Sequence, residues 1–177
     1  MRSDWEYLGR ARDGEEDAWR LLFEKHYVPL VRLTALITGS IDAAKDIAQE
    51  TFFRLLRVRQ QHDEGNFKAY VSTIAFRLAL KEKARVRRAK HAENPESPGD
   101  TPSPLETVVQ AEEQKQIVRV IQLLPDHYRE IIVLRFYGEQ SYEEMAETLA
   151  IPIGTVKSRI FYAVKACREQ LEKRGML

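Results

Sequence analysis

Residues 141–160 read SYEEMAETLAIPIGTVKSRI, and this stretch decides the fold of the C-terminal part of the chain. Ser141 followed three residues later by Glu144 predicts a capping box, which satisfies free backbone N–H groups at a helix start. Pro152 stands where a second helix can begin, because its fixed φ suits a first turn and its missing N–H costs nothing there. The stretch therefore predicts a helix, a tight turn and a second helix.

The second helix of this pair has an apolar face and a polar, basic face. Helical spacing places Val156, Ile160, Ala163, Cys167 and Leu171 on the apolar side. A basic, hydroxyl-rich opposite face is what reading a DNA major groove requires, although such a pair can also serve only as a packing unit. We expect four side chains to reach base edges and two lysines to neutralise phosphates. These are Thr155, Ser158, Arg159 and Tyr162 for the bases, and Lys157 and Lys165 for the phosphates.

Apolar residues recur at helical spacing along the rest of the chain, so the sequence predicts an all-α protein. Residues 92–107 hold four prolines, one glycine and four acidic residues with no lysine or arginine, a composition typical of a flexible acidic linker. We therefore expect two small helical domains, over residues 1–91 and 108–177, with the linker between them. The second domain ends in the helix-turn-helix.

The charge of the chain is unevenly distributed. The formal net charge of the 177 residues is +1, but residues 77–91 carry seven basic residues against one acidic residue. Residues 152–177 carry six basic residues against two acidic ones. Two separated basic patches predict a long polyanion contacted twice, and the linker is long enough to let them reach sites about one DNA turn (~34 Å) apart or more.

Composition also disfavours several classes of protein. The single cysteine excludes an internal disulfide and fits a reducing cytoplasm. No apolar run approaches the ~20 residues that span a bilayer, so we expect no direct membrane insertion, and the N-terminus does not read as a signal peptide. The four histidines are scattered and there is no glycine-rich phosphate loop, so we expect no metal, no cofactor and no enzymatic activity.

The predicted helix that begins at Asp42 carries an unusual solvent face. Its apolar stripe is accounted for by other positions, and the far side holds an aromatic residue between acidic ones. One interpretation is a solvated surface with a stray aromatic; the other is a docking patch for a partner protein, with the ring as an apolar anchor. The residues of this docking face are Asp46, Gln49, Glu50, Phe53 and Arg57.

The predicted helix that begins at Phe67 interleaves aromatic and basic residues on the side away from its first apolar stripe. Thr73, Phe76, Leu80, Lys83 and Arg87 lie on that side. Rings that stack on bases beside cations that hold phosphates suit single-stranded or melted nucleic acid. The alternative is a basic solvated helix whose second apolar side packs on the N-terminal helices.

Three sequence blocks together resemble the bacterial RNA polymerase sigma factors of the extracytoplasmic-function type. They are DIAQETF at residues 46–52, LLPDHYREIIVLR at residues 123–135, and the helix-turn-helix at residues 141–159. The resemblance covers nearly the whole chain, from about Asp13 to Glu172. It implies a sigma factor that binds core RNA polymerase and directs it to promoters by reading their −10 and −35 elements.

The resemblance assigns a role to each surface. It implies that the docking face binds the clamp helices of the polymerase's largest subunit, with a further contact to the flap region, and that the helix-turn-helix reads the −35 element. The loop at residues 60–65 and the helix after it would recognise and melt the −10 element. Many such proteins are held inactive by an anti-sigma factor. The −10 contacts would be His62, Asp63, Asn66, Lys68, Thr73, Phe76, Arg77, Lys83 and Arg87.

The chain departs from the family pattern along the −10 helix. Residues 74–77 read IAFR where members commonly have Ile-Ala-Arg-Asn, Lys81 stands at the position of an acidic residue, and Tyr70 replaces a tryptophan. Tyr162 replaces a common basic residue in the reading helix. The competing functions are a stand-alone transcriptional regulator, an anti-sigma decoy and a small helical enzyme. A stand-alone regulator would not need the docking face, and an anti-sigma decoy would not need the reading face.

Overall fold

The computed structural model describes residues 3–57, 65–93 and 112–176, and these contain helices and no strand. The N-terminal unit holds four helices and the C-terminal unit four more. A short π-helical turn at Val133–Tyr137 continues the sixth helix. The helices are α1 (Asp4–Arg12), α2 (Glu16–Thr38), α3 (Ile41–Arg57), α4 (Phe67–Glu93), α5 (Glu112–Leu123), α6 (Asp126–Ile132), α7 (Tyr142–Leu149) and α8 (Ile153–Lys173).

The helix ends follow the chemistry of the residues that flank them. Ser141 Oγ accepts from the Glu144 amide at 3.1 Å, and the Glu144 carboxylate accepts from the Ser141 amide at 2.6 Å, so the predicted capping box is confirmed. Ala150 ends α7 in the left-handed conformation at φ 52°, which makes the turn to α8 tight. Gly39 ends α2 at φ 73°, a conformation that glycine adopts without steric cost.

The N-terminal unit is built around α2. Trp19 and Phe23 of this helix pack on Phe52 of α3, with ring centroids 5.3 and 5.0 Å apart. Helix α1 covers the start of α4: Trp5 Nε1 donates to the carbonyl of Gly65 at 3.0 Å, and its ring meets Phe67 edge to face at 4.9 Å. These contacts hold α3 against α2 and the start of α4 against α1, and they leave the outer side of α3 facing solvent.

The C-terminal unit buries the apolar sides of the helix-turn-helix. Met145 of α7 and Val156 and Ala163 of α8 are fully buried, together with Ile131 and Leu134 of the preceding segment. This burial fixes the rotation of α8. Its other side, the predicted reading face, points outward.

The two units pack against each other, and their buried apolar residues form a continuous core. Gln122 Nε2 of α5 donates to the carbonyl of Leu36 at the end of α2, at 3.1 Å. Gly138 follows the π-helical turn, and a Cβ there would lie 3.3 Å from the Cβ of Ser72 on α4 and 2.7 Å from the carbonyl oxygen of Leu134. A glycine is needed at this point chiefly because a Cβ would collide with the Leu134 carbonyl of the preceding turn, and the close approach to Ser72 of α4 leaves little room on the other side.

The all-α prediction and the helix-turn-helix are confirmed. The two helices predicted to begin at Asp42 and Phe67 begin within one residue of those positions, as α3 and α4. The loop predicted at residues 60–65 lies outside the described residues except for Gly65, and most of the predicted linker, residues 94–107, lies outside them entirely.

Candidate protein and nucleic-acid interfaces

The docking face of α3 is fully open. All five of its residues are exposed, and Phe53 keeps 56% of its surface accessible to solvent. Glu50 is ion-paired with Arg54 one turn later, at 2.8 Å. The opposite side of the helix supplies Ile47, Phe52 and Leu55 to the core. The helix therefore separates a buried stripe from an exposed face that combines an aromatic ring with charges of both signs.

The start of α4 is bound to the C-terminal unit by polar contacts. Lys68 Nζ donates to the carboxylate of Glu139 at 2.6 Å, and the Asn66 side-chain amide donates to the Glu139 backbone carbonyl at 3.0 Å. Both Asn66 and Lys68 were predicted to contact the −10 element. The structure brings them together on an acidic residue of the C-terminal unit, while His62 and Asp63 lie outside the described residues.

The middle of α4 is covered rather than open. Thr73 Oγ1 accepts from Gln140 Nε2 at 2.8 Å and lies 3.2 Å from the hydroxyl of Thr148. Phe76 is completely buried in the core, with no accessible surface. The prediction that Phe76 contacts the −10 element is therefore wrong: the helix buries two sides, as the alternative interpretation of its second apolar side required. That second side meets the C-terminal unit at Thr73.

The far end of α4 meets Asp126 at the start of α6. Lys83 donates to the Asp126 carboxylate at 2.6 Å, Arg87 at 3.3 Å, and Arg129 of the same helix approaches it at 3.4 Å. Partial burial raises the pKa of Asp126, but the hydrogen bond from Lys83 and the three positive charges outweigh burial and hold the pKa below its ordinary value. Asp126 is therefore charged at neutral pH. Of the described residues predicted to read the −10 element, Arg77 alone is exposed with no contact to the C-terminal unit.

The outer face of α8 presents most of its predicted DNA contacts to solvent. Lys157, Ser158, Tyr162 and Lys165 are exposed. Thr155 is half-buried, and its carbonyl accepts from the Ser158 hydroxyl at 3.0 Å. The oxygen of Ser158 keeps lone pairs for a donor on a base edge. These side chains share one side of a helix whose other side is locked by burial.

Arg159 is less free than predicted. It is half-buried, and its positive charge acts on Glu130 of α6. Burial raises the pKa of Glu130, Asp126 adds to this, and the charges of Lys83, Arg159 and Arg129 oppose it. Arg159 was predicted to read bases, and its positive charge also acts on a carboxyl group of its own unit.

Phe161 was missed in the sequence analysis. Its ring is the most exposed aromatic of α8, at 65%, and meets the ring of Tyr162 edge to face at 5.4 Å. Its position, four residues after Lys157 and four before Lys165, was the signal that could have placed it on the reading face. This exposed aromatic pair adds apolar surface beside the two lysines.

The described residues hold no cluster of histidine, cysteine or acidic side chains that could bind a metal ion. Cys167 is half-buried, and burial raises the pKa of its thiol. Within the described part of the chain, no helix is both long and apolar enough to cross a bilayer.

Two family models match the chain in the order of its two units. The model described as Sigma-70 region 2 matches residues 22–90, and the model described as Sigma-70, region 4 matches residues 114–167. The first spans most of α2 and all but the end of α4, with the predicted docking face and the helix predicted to read the −10 element. The second spans α5 to most of α8, with the helix-turn-helix.

Similar proteins include RNA polymerase sigma factors of known name. The chain is 30% identical to the ECF RNA polymerase sigma factor SigW of Bacillus subtilis over 93% of this chain and 94% of that protein. It is 32% identical to the ECF RNA polymerase sigma-E factor of Escherichia coli over 96% and 95%. The sigma factor RpoE of Bartonella quintana, solved with the anti-sigma factor NepR, shares the fold at a TM-score of 0.62, with 23% identity over 82% of this chain and 92% of that one. The chain therefore belongs to the ECF RNA polymerase sigma factors, and it is an alternative sigma factor that directs promoter-specific transcription initiation.

Proposed function

We propose that three surfaces of this sigma factor divide the work of initiation. The docking face of α3 binds the clamp helices of the largest polymerase subunit, α4 with the loop before it reads and melts the −10 element, and α8 reads the −35 element. The C-terminal unit makes a further contact with the flap region. In this proposal residues 1–91 and 108–177 act as separate domains joined by a flexible linker at residues 92–107.

The docking face is the single observation that carries the proposal. Its five residues are exposed on a helix whose other side is fully packed, and an exposed phenylalanine flanked by charges has no role in the fold. Aromatic anchors ringed by polar residues are typical of protein–protein interfaces. Asp46 and Glu50 fit basic residues of a partner, and Arg57 fits an acidic one.

The −10 element is read by the polar residues of α4 and of the segment before it. Asn66, Lys68, Thr73, Arg77, Lys83 and Arg87 remain in this role, with His62 and Asp63 in the loop. Four of these are cationic and suit the phosphates of a melted strand. Phe76 has no part in it because it is buried.

The −35 element is read by the outer face of α8. Ser158 and Tyr162 are exposed in the first half of the helix and offer hydroxyl groups to base edges, with Thr155 and Arg159 beside them. Lys157 and Lys165 neutralise phosphates on either side. Since Tyr162 replaces a basic residue common at this position, we propose that the −35 preference of this protein differs from that of arginine-bearing relatives at one base pair.

The protein itself catalyses no reaction, acts in the cytoplasm and uses no cofactor. Catalysis belongs to the polymerase, whose promoter choice the sigma factor sets. An anti-sigma factor is a further proposed partner, supported by the solved complex of the related RpoE with NepR.

The decisive experiment is reconstitution. The purified chain is mixed with core RNA polymerase and fragmented genomic DNA, and the 5′ ends of the transcripts are sequenced. We expect a stable complex with core on a sizing column, and start sites that share a −10 and a −35 motif. Core polymerase without the chain is the control; if the two sets of start sites coincide and no complex forms, the proposal fails.

A further inference from the structure

Two aromatic rings lie next to each other on the outer side of α8. Phe161 keeps 65% of its surface exposed and Tyr162 keeps 53%, and the rings meet edge to face with their centroids 5.4 Å apart. We infer that this aromatic pair reads the methyl group of a thymine in the −35 element, at the base pair where an arginine at position 162 would read a guanine. The inference rests on the function proposed above, because it names the base feature that α8 contacts.

Phe161 lies in the middle of the exposed side of α8. The buried side of this helix carries Val156 and Ala163, and each residue of a helix is turned by about 100° from the one before it. Phe161 therefore points away from both buried residues, on the same side as Ser158 and Lys165, which are also exposed. A ring in this position faces whatever α8 binds.

The two lysines predicted to neutralise phosphates lie on either side of the ring. Lys157 and Lys165 are eight residues apart, about 12 Å along the helix, and Phe161 is halfway between them. The major groove of B-DNA is about 12 Å wide, so lysines at this spacing can reach phosphates while the ring between them lies against the base edges. The charged contacts thereby position an aromatic side chain over the floor of the groove.

The chemistry of a phenyl ring limits what it can recognise. Phe161 carries no polar side-chain atom, so it distinguishes base pairs through apolar contact. Among the groups that base pairs present in the major groove, the C5-methyl of thymine is the apolar one. Burying one methyl group against the ring increases the affinity about fourfold. Thymine is therefore the base that Phe161 favours.

Tyr162 supplies an aromatic ring where family members commonly have a basic residue. An arginine at this position can donate two hydrogen bonds, to O6 and N7 of a guanine. A tyrosine offers one hydroxyl and a ring, and here the ring packs against that of Phe161, which extends the apolar surface and limits the motion of both side chains. The aromatic pair therefore favours T·A over G·C at this base pair.

The test begins with the −35 motif that the full chain selects. The chain is bound to core polymerase, and the complex enriches duplexes from a pool of randomised sequence. The enriched −35 motif is then synthesised with uracil in place of one thymine at a time, which removes a methyl group and keeps the base pairing. The affinities of the complex for the thymine and uracil duplexes are compared by competition at fixed salt.

We expect one of the uracil substitutions to lower the affinity of the wild-type complex about fourfold. Phe161→Ala should bind the thymine and uracil duplexes equally. The matched control is Phe136→Ala, which removes a ring of similar exposure (60%) from the π-helical turn of the same unit and should keep the fourfold difference. Because each comparison is between two duplexes bound by the same protein, a general change in binding cancels.

A second variant changes the base that is read. Tyr162→Arg, put through a fresh selection, should prefer guanine over thymine at the methyl-sensitive base pair by about fivefold or more, the lower end of the discrimination that a bidentate arginine gives. If this variant selects the same base as the wild type, position 162 does not face that base pair and the inference is wrong.

The outcomes separate this inference from the proposed function. If a −35 motif is enriched but no uracil substitution weakens binding more for the wild type than for Phe161→Ala, the inference is wrong and the sigma function stands. If the complex enriches no −35 motif, the proposed role of α8 fails and the inference fails with it.

Discussion

Phe53 on α3 and Phe76 on α4 look alike in the sequence and differ completely in the structure. Both lie on helices of the N-terminal unit, away from the first apolar stripe and near charged residues. Phe53 keeps 56% of its surface exposed and Phe76 keeps none. The difference arises because the side of α4 that carries Phe76 packs against other parts of the same chain, whereas the outer side of α3, which carries Phe53, faces solvent.

The comparison teaches how an aromatic residue off the main stripe should be interpreted. A ring that its own chain can cover contributes to stability, and a ring that it cannot cover is available to a partner. Changes to the open face of α3 should therefore alter binding and leave stability unchanged. Substitutions on the covered face of α4 should mainly change the stability of the protein.

The largest effect is expected at Phe76. Phe76→Ala leaves a cavity in the shared core and should destabilise the protein by about 3–5 kcal/mol, as large-to-small substitutions of buried phenylalanine do. The measurement is urea unfolding followed by circular dichroism. Phe76→Leu is the control and should cost much less, since it keeps most of the apolar volume. A loss for Phe76→Ala below about 1 kcal/mol would mean that the ring is not buried in solution.

The open face should behave in the opposite way. Glu50→Ala/Phe53→Ala should weaken binding to core polymerase by about 2 kcal/mol or more, the size of an interface hot spot, because the anchor and a charge are both lost. Its unfolding free energy should change by less than about 0.5 kcal/mol. Binding is measured with labelled protein and core polymerase at fixed salt.

A matched control uses exposed residues of the same unit outside this face. Glu16→Ala/Arg20→Ala removes an exposed pair near the start of α2 and should leave core binding unchanged. If the two double variants bind core equally well, the docking face lies elsewhere.

Most of the fold could be predicted from the sequence because helix signals are local. Ser141, Glu144 and Pro152 mark helix starts through backbone chemistry within one turn, and the apolar stripes of α3 and α8 follow from spacing alone. The exposure of the docking face was predictable for the same reason. Burial of Phe76 was not, since it depends on how helices from other parts of the chain pack around α4 rather than on spacing within α4. The partners of Lys68 and Lys83, Glu139 and Asp126, were hidden for the same reason.

The buried histidine that packs near the start of α4 should make the stability of the protein depend on pH. His26 is buried, lies 2.9 Å from the carboxylate of Asp4 and packs against Phe67. Burial lowers the pKa of His26 below its ordinary value of 6.5, and this outweighs the opposing effect of Asp4. The unfolded chain therefore takes up a proton at higher pH than the folded one, so stability is full above about pH 6.5 and falls as the pH drops below it.

Urea unfolding between pH 7.5 and 5.5 measures this fall. His26→Gln lowers stability at every pH and should flatten the slope that the histidine causes. His127, which is exposed, is the control: His127→Gln should keep the wild-type slope. If the unfolding free energy of His26→Gln still falls with pH as in the wild type, a group other than His26 takes up the proton.

The smallest effect is expected at Lys165, which tests whether α8 behaves as an open face like that of α3. Lys165→Ala should leave the unfolding free energy within about 0.5 kcal/mol of wild type, since the side chain is exposed. It should weaken binding of −35 DNA alike for all sequences and reduce the slope of log affinity against log salt by about one, the release of one counterion. Lys173→Ala removes the same charge at the far end of α8 and should keep the full slope. If both variants reduce the slope equally, DNA is attracted diffusely to the basic helix. If only Lys165→Ala reduces it, that lysine contacts a particular phosphate. In that case the outer face of α8, like that of α3, is an exposed surface available to a partner.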